Sequence, residues 1–424
     1  MNRLRAACLL ALCPIAGSML PAQQPGASTE LPGQPFVIKQ TWIVGGAGPW
    51  DYLTMDARAE RLYIAHGHAV QVVDVATGVV AGEISGLAEA HSVALDDTGE
   101  FGYISDGAAG RVMVFDRRSL QTVATIDNIL NPRALVFEPQ TRLLFAVRTD
   151  PVPTPRTPTP PRTTTHITLR PAPPPPPPPN PKASSSITVI DTQTQTALGQ
   201  ILLSGALGFA QADGRGQVFV NITDRNQILR FDATTVAAEL HKQADANIPA
   251  PSTAEAQKKP APPNTLDWTE GGESSHRRSF ALAPDCTTPK SLAIDTANAR
   301  LFAACDNMKL FVLNADNGDR IATLPIGPGV DAIGYDPGRS LIYAANGGAN
   351  GSLTIIRQHV TDTYSVIQNL PTQQRARTLA VNPDTGQVYL VTDLLGMNLA
   401  QHGSIGSLRT NPVNGSFQVL VVGN

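Results

Sequence analysis

A short phrase of the form polar–small–apolar–small–apolar–acid recurs seven times along the chain, and this repetition constrains the fold more than any other feature. Its copies are Asp51-Tyr-Leu-Thr-Met-Asp56, His91-Ser-Val-Ala-Leu-Asp96, Arg133-Ala-Leu-Val-Phe-Glu138 and Gly208-Phe-Ala-Gln-Ala-Asp213, then Lys290-Ser-Leu-Ala-Ile-Asp295, Asp331-Ala-Ile-Gly-Tyr-Asp336 and Arg377-Thr-Leu-Ala-Val-Asn382. Each is followed by a polar turn and a second apolar segment with an aromatic near its start, as in Leu62-Tyr-Ile-Ala-His-Gly67. A third segment alternates and usually ends in Asp or Asn, as in Val70-Gln-Val-Val-Asp74. Asp and Asn suit that place because their side chains accept from backbone amides two residues on and close a turn. A fourth, such as Val79-Val-Ala-Gly-Glu-Ile84, completes the unit.

The starts lie 40, 42, 75, 82, 41 and 46 residues apart. Four-strand units of about 40 residues mark the blades of a β-propeller. The two long intervals hold low-complexity stretches. Residues 151–183 contain 15 prolines, and removing them returns 75 to 42. Residues 242–276 form a second polar, proline-bearing stretch after blade 4. Both lack the apolar surface to fold alone and are expected to be disordered or polyproline II. The first lies between the second and third strands of blade 3. The face of the second depends on whether Thr235 to His241 or Arg278 to Leu282 is the outer strand of blade 4. The expectation is an all-β, seven-bladed propeller over residues 36–424. The last repeat lacks a fourth strand after Ser416-Phe-Gln-Val-Leu-Val-Val-Gly423, and Phe36-Val-Ile-Lys-Gln-Thr-Trp-Ile-Val44 is available to supply it. An N-terminal strand completing the C-terminal blade removes two open edges at once.

Residues 1–22 have a basic start (Arg3, Arg5), an apolar stretch and a small-residue end, the layout of a secretory signal, with 23–35 as a linker. Cys8 and Cys13 would leave with it. That implies a periplasmic or extracellular protein, in which the two remaining cysteines, Cys286 and Cys305, favour one disulfide over two buried thiols. The bridge would clamp the loop leading to Lys290. Charged residues are 16% of the chain with net charge −3, so no basic field exists for a nucleic-acid backbone. Beyond the signal there is no apolar run long enough to span a membrane, and a monomer is expected.

In a propeller the first strand of each blade is innermost, so the first residue of each phrase points at one channel mouth. Those residues are Asp51, His91, Arg133, Gly208, Lys290, Asp331 and Arg377, six of seven ionisable, where composition alone would supply about one. One reading is a polar rosette, leaning positive, for a small anionic or polyhydroxylated ligand, since guanidinium forks suit carboxylates and phosphates. The other is a set of solvated or mutually paired strand ends. His66, His68 and His91 are the candidate metal ligands, and His91 with Asp51 or Asp331 is the only acid/base constellation that stands out. No nucleophile, phosphate-loop or haem motif occurs, and no cofactor is expected.

The strings Tyr63-Ile-Ala-His66, Tyr103-Ile-Ser-Asp106, Phe219-Val-Asn-Ile222 and Tyr343-Ala-Ala-Asn346, with Trp50-Asp-Tyr-Leu-Thr-Met-Asp56, Leu324-Pro-Ile-Gly-Pro-Gly-Val-Asp-Ala332 and Ala376-Arg-Thr-Leu-Ala-Val381, resemble the YVTN-type (YncE-like) β-propeller repeat family. The resemblance covers residues 36–424 apart from the insertions and implies an exported bacterial propeller without an established reaction. On that basis the chain is expected to be a binding module for a small ligand or for an envelope or cell-wall protein. A lactonase-like hydrolase or lyase on the same rosette is the alternative, by analogy of fold.

Overall fold

Alternating apolar segments closed by Asx turns become antiparallel strands, because one face of each can pack on a neighbouring sheet while the turns satisfy their own backbone. In this computed structural model the described residues are 34–46, 48–148, 184–246, 264–269, 272, 274, 276–348, 350–360, 362–398 and 409–424. Seven of their eight sheets are the blades of a seven-bladed β-propeller, and the eighth is the two-stranded pair Leu395–Asn398 with Arg409–Pro412. Blade 1 comprises Trp50–Asp56, Arg61–His66, Ala69–Asp74 and Val79–Ile84 in that order from the channel outward. The predicted turn chemistry is present: Asp74 accepts from the amides of Ala76 and Thr77 at 3.1 and 2.9 Å. The Thr77 hydroxyl and amide hold its carboxyl below the ordinary range.

Each second strand carries one aromatic ring into the core. Tyr63, Tyr103, Phe145, Phe219, Phe302, Tyr343 and Tyr389 are all buried, one per blade. Fully burying such a ring contributes roughly 1.5–3 kcal/mol, so these seven positions are the main fixed points of the packing between blades. Hydroxyls on the first and second strands tie neighbouring blades. Thr54 donates to the Val93 carbonyl at 2.6 Å, Ser105 to the Arg133 carbonyl at 2.9 Å, and Ser291 accepts from the Ile333 amide at 3.1 Å.

The last blade closes as the repeat count requires. Val37–Ile43 pairs antiparallel with Gln418–Gly423 as its outer strand. Phe36 is held on blade 6 by both its backbone groups: Gln368 accepts from its amide at 2.9 Å and donates to its carbonyl at 2.8 Å. Its ring packs on Tyr343, and Trp42 packs on Tyr389.

The 242–276 insertion departs from expectation. It does not follow blade 4 but interrupts it, because the outer strand is Arg277–Ala281, paired with Gln227–Asp232. Thr235 to His241 belongs to helix α1, Ala233–Ala246. Val236 and Leu240, four residues apart, bury a helical face together with Ala233, a spacing no strand would use. Asp232 caps the helix by accepting from the Thr235 amide at 2.7 Å. Thr265–Trp268 then adds in parallel to Thr196–Ser204, making blade 3 five-stranded and covering its edge. Joining third to fourth strand, this insertion leaves on the face opposite the rosette. The first insertion joins Leu143–Arg148 to Ser184–Asp191 on the rosette face, and residues 151–183 lie outside the described residues, as do residues 1–33, where a signal and linker are expected.

Candidate binding rosette at one channel mouth

A single backbone device, repeated, builds this site. The inner strands of blades 1 to 6 all shift register immediately after their first paired residue. In blade 3, Pro132 faces Arg148 and Ala134 faces Val147, leaving Arg133 as an extra residue. Lys290 and Asp331 are the extra residues of blades 5 and 6. In blades 1, 2 and 4, Asp51 with Tyr52, His91 with Ser92 and Gly208 with Phe209 each oppose one partner. A bulge re-aims side chains that ladder pairing would hold to the pleat, and here it coincides with every rosette position predicted for blades 1 to 6. Arg377 differs: the inner strand of blade 7 is Leu379–Val381, so this residue precedes the strand and is exposed.

The side chains fall into two linked groups. On one side His91 Nδ1 meets Asp51 Oδ2 at 2.8 Å and His91 Nε2 lies 3.4 Å from Glu89 Oε2. Glu89 Oε1 is in turn 3.9 Å from Arg133. Glu89 is set by buried Asp106, which accepts from the amides of Ala88 and Glu89 at 2.9 Å each while Arg111 holds its other oxygen. Gly107 leaves room for the imidazole, since a Cβ there would lie 2.7 Å from His91 Nε2. On the other side Arg377 Nε sits 3.0 Å from Asp331 Oδ2. Burial pushes the Asp331 carboxyl up; Arg377 and Lys290 pull it down, and Asp51 adds to the rise. Lys290 makes no direct ion pair among the described residues. Glu89 brings the carboxylates to three against three cations, so the mouth is balanced rather than positive.

Two aromatics unforeseen from sequence form the floor. Tyr52 of blade 1 and Phe209 of blade 4 meet across the channel with ring centroids 5.2 Å apart. The Tyr52 phenol is raised well above its ordinary value by burial, then by Asp331 and Asp51, against Arg377 and Arg133. Its hydroxyl therefore shares the field of the whole rosette. Beyond this pair the channel opens into a cavity of about 410 Å³ lined by inner-strand residues such as Leu53, Val93, Leu135 and Ile333. The signal was present in the repeats: only these two phrases carry an aromatic directly after the rosette residue.

The three candidate metal histidines do not converge. His66 is buried, with its nitrogens on Gln71 Oε1 at 3.0 Å and the Gly48 carbonyl at 3.1 Å, and its ring lies on Phe417. His68 faces the Ala88 carbonyl at 2.7 Å. No group of three His, Cys, Asp or Glu side chains among the described residues is placed to hold a metal ion. Cys286 and Cys305 form the expected disulfide, with Cα atoms 5.5 Å apart, tying the loop ahead of the strand that carries Lys290 to the end of Arg300–Cys305. No helix among the described residues is long and apolar enough to cross a membrane.

No family model matches the chain, and no curated protein matches it. Solved structures do. It is similar to U3-55K at 9% identity and TM-score 0.58, covering 89% of this chain and 97% of that one. It is similar to the RRP9 WD40 repeats at 9% identity and TM-score 0.59, covering 90% and 96%. A chain of the mitotic checkpoint complex matches at 12% identity and TM-score 0.57, covering 89% and 95%. At such identities these likenesses establish the β-propeller fold and nothing finer.

Proposed function

We propose that the protein is an exported propeller of the YVTN type acting as a binding module, with the rosette taking a small anionic, polyhydroxylated ligand such as a sugar acid. The observation that carries this reading is the mouth itself. Six bulged strands deliver ionisable or aromatic side chains over the Tyr52–Phe209 floor, and Lys290 lacks a direct ion-pair partner there. A ligand carboxylate would meet Lys290, its hydroxyls would reach Asp51, Glu89 and His91, and its carbon skeleton would lie on the aromatic floor. Export rests on the signal-like residues 1–22 and accords with the disulfide. An envelope or cell-wall partner would engage the rosette face, where the first insertion leaves the sheet.

The test is calorimetric titration with sugar acids, their neutral parent sugars and lactones. Arg133→Glu combined with Arg377→Glu should abolish binding while leaving the thermal midpoint within a few degrees; unchanged affinity would overturn the reading. Because burial raises the Asp331 carboxyl, lowering the pH neutralises it above the ordinary aspartate range and removes a negative charge from the mouth. Affinity for an anion should therefore rise as pH falls toward its titration range. A second reading, a lactonase-like hydrolase, is favoured by the 2.8 Å His91–Asp51 pair in the same mouth as the Asp331 carboxyl, which burial raises. Turnover of a lactone, lost in His91→Ala, would select it.

A further inference from the structure

The third strands of six blades carry a β-branched residue two places before their last residue. These are Val72, Val114, Val189, Val312, Ile356 and Val421, all buried. Across the ladder they face Gly82, Ala124, Gly199, Ala322, Val366 and Gln40, so the position carries no charge on either strand. Blade 4 breaks the pattern on both. Its residue is Arg230, and the residue directly opposite is Arg278. Like charges in direct cross-strand register are destabilising, and Arg230 stands where the other blades bury a β-branched side chain. A local rule broken twice at one spot, with two guanidinium groups left facing each other across the strands, points to a ligand.

The surroundings fit an anion. Arg230 is fixed by donating from Nε to Gln217 Oε1 at 3.0 Å and from Nη1 to the Asp316 carbonyl at 2.7 Å, which leaves Nη2 without a partner among the described residues. Arg278 is exposed and has no partner among them. The two line a cavity of about 580 Å³ with Arg277, His276, Gln217 and Asp232. Asp232, the one carboxylate in that lining, is already taken by the Thr235 amide and Gln217 Nε2. Arg277 is held over the Trp268 ring at 4.8 Å and donates to the Gly272 carbonyl. The cationic groups thus outnumber the carboxylate at the outer edge of blade 4, on the face away from the rosette.

We propose that this edge is an oxyanion site that holds a phosphate or sulfate group between the guanidinium groups of Arg230 and Arg278. Guanidinium forks bind such groups in bidentate fashion, and an anion there would remove the repulsion between the two strands. The group could be a free ion or the terminal ester of a larger molecule.

Calorimetric titration of the full chain at low ionic strength, with inorganic phosphate and with glycerol phosphate, tests this. Saturable one-to-one binding is expected, weakened about tenfold or more by Arg278→Ala and by Arg230→Val. Tighter binding of the inorganic ion would identify the free anion, and tighter binding of the ester a headgroup or polymer end. Arg230→Val restores the repeat residue, so its thermal midpoint without anion should match or exceed that of the wild type while phosphate no longer raises it. The rosette variant Arg133→Glu/Arg377→Glu should bind phosphate normally at this edge. Absence of saturable binding in the wild type, or unchanged affinity in Arg278→Ala, overturns the site. Arg278 is exposed, so that variant reports even if Arg230→Val does not fold.

Discussion

Blades 2 and 4 are built from the same phrase and have diverged in instructive places. Blade 2 (Ala90–Leu95, Phe101–Asp106, Arg111–Asp116, Thr122–Asp127) keeps the repeat unbroken. Blade 4 (Leu207–Ala212, Gln217–Ile222, Gln227–Asp232, Arg277–Ala281) has Gly208 where blade 2 has His91 and Arg230 where blade 2 has Val114. It also carries a helix and an added strand where blade 2 has a tight turn. What both retain is the inner-strand bulge, the buried second-strand aromatic and the Asp that ends the third strand. Ring closure fixes what each blade must present to its neighbours, whereas the outer edge and the third-to-fourth connection are free to change.

If that division is right, the retained positions should be equally costly to break. Tyr103→Ala in blade 2 and Phe219→Ala in blade 4 should each lose about 3–5 kcal/mol in equilibrium urea unfolding. A much smaller loss in blade 4 would mean that its core has loosened along with its edge. The connections should differ instead. The loop from blade 4 into blade 5 is clamped by Cys286–Cys305, a span of 19 residues, while that from blade 2 into blade 3 has no covalent tie. Replacing both cysteines with serine should cost about 3 kcal/mol by the loop-entropy argument and lower affinity at Lys290, with blade 2's His91–Asp51 pair unaffected.

The common features of the two blades were legible in the sequence, because each is a local rule: alternation, an Asx turn, one aromatic per second strand. So was the closing strand, since counting strands leaves one missing and Val37–Ile43 is the one spare apolar segment. The bulge was not legible, because it is a mismatch between two strands and neither strand's sequence states it. The Tyr52–Phe209 contact needs the ring to be closed before blades 1 and 4 face each other. Glu89 lies in a connection outside the phrase and is positioned by Asp106 from the next strand but one, a tertiary relation. The helix at Ala233–Ala246 was legible, since Val236 and Leu240 are spaced for a helix, and that spacing alone decides between Thr235 to His241 and Arg278 to Leu282 as the outer strand.

The rosette position itself separates the two blades further. Blade 2 accommodates a full imidazole there, but a Cβ on Gly208 would lie 2.8 Å from Thr223 Cγ2. Gly208→Ala should therefore cost about 1–3 kcal/mol, and Thr223→Ser in the same chain should recover most of it. Recovery measured by thermal unfolding would show that blade 4 lacks a rosette side chain for want of space.

The smallest difference concerns the Asp that ends each third strand. In blade 4, burial raises the Asp232 carboxyl, but the Thr235 amide, the Thr235 hydroxyl and Gln217 together hold it below its ordinary value. A carboxyl depressed in the folded state binds fewer protons there than in the unfolded chain. Its contribution is therefore full above the unfolded pKa of about 3.9 and is lost as pH falls through the folded value. Asp232→Ala should cost about 1 kcal/mol at neutral pH, the typical worth of a helix cap. Asp232→Asn keeps an acceptor for the Thr235 amide, so it should lose only the charge-dependent part. The gap between wild type and that variant should close on acidification. Asp116 of blade 2 closes a turn at the surface rather than capping a helix, although the Ser119 hydroxyl and amide hold it low as well. Its Asn variant should show a smaller gap at every pH, because solvent already screens the charge that the Asp232 site partly encloses. Equal gaps in the two blades would mean that α1 draws nothing extra from the charge of its cap.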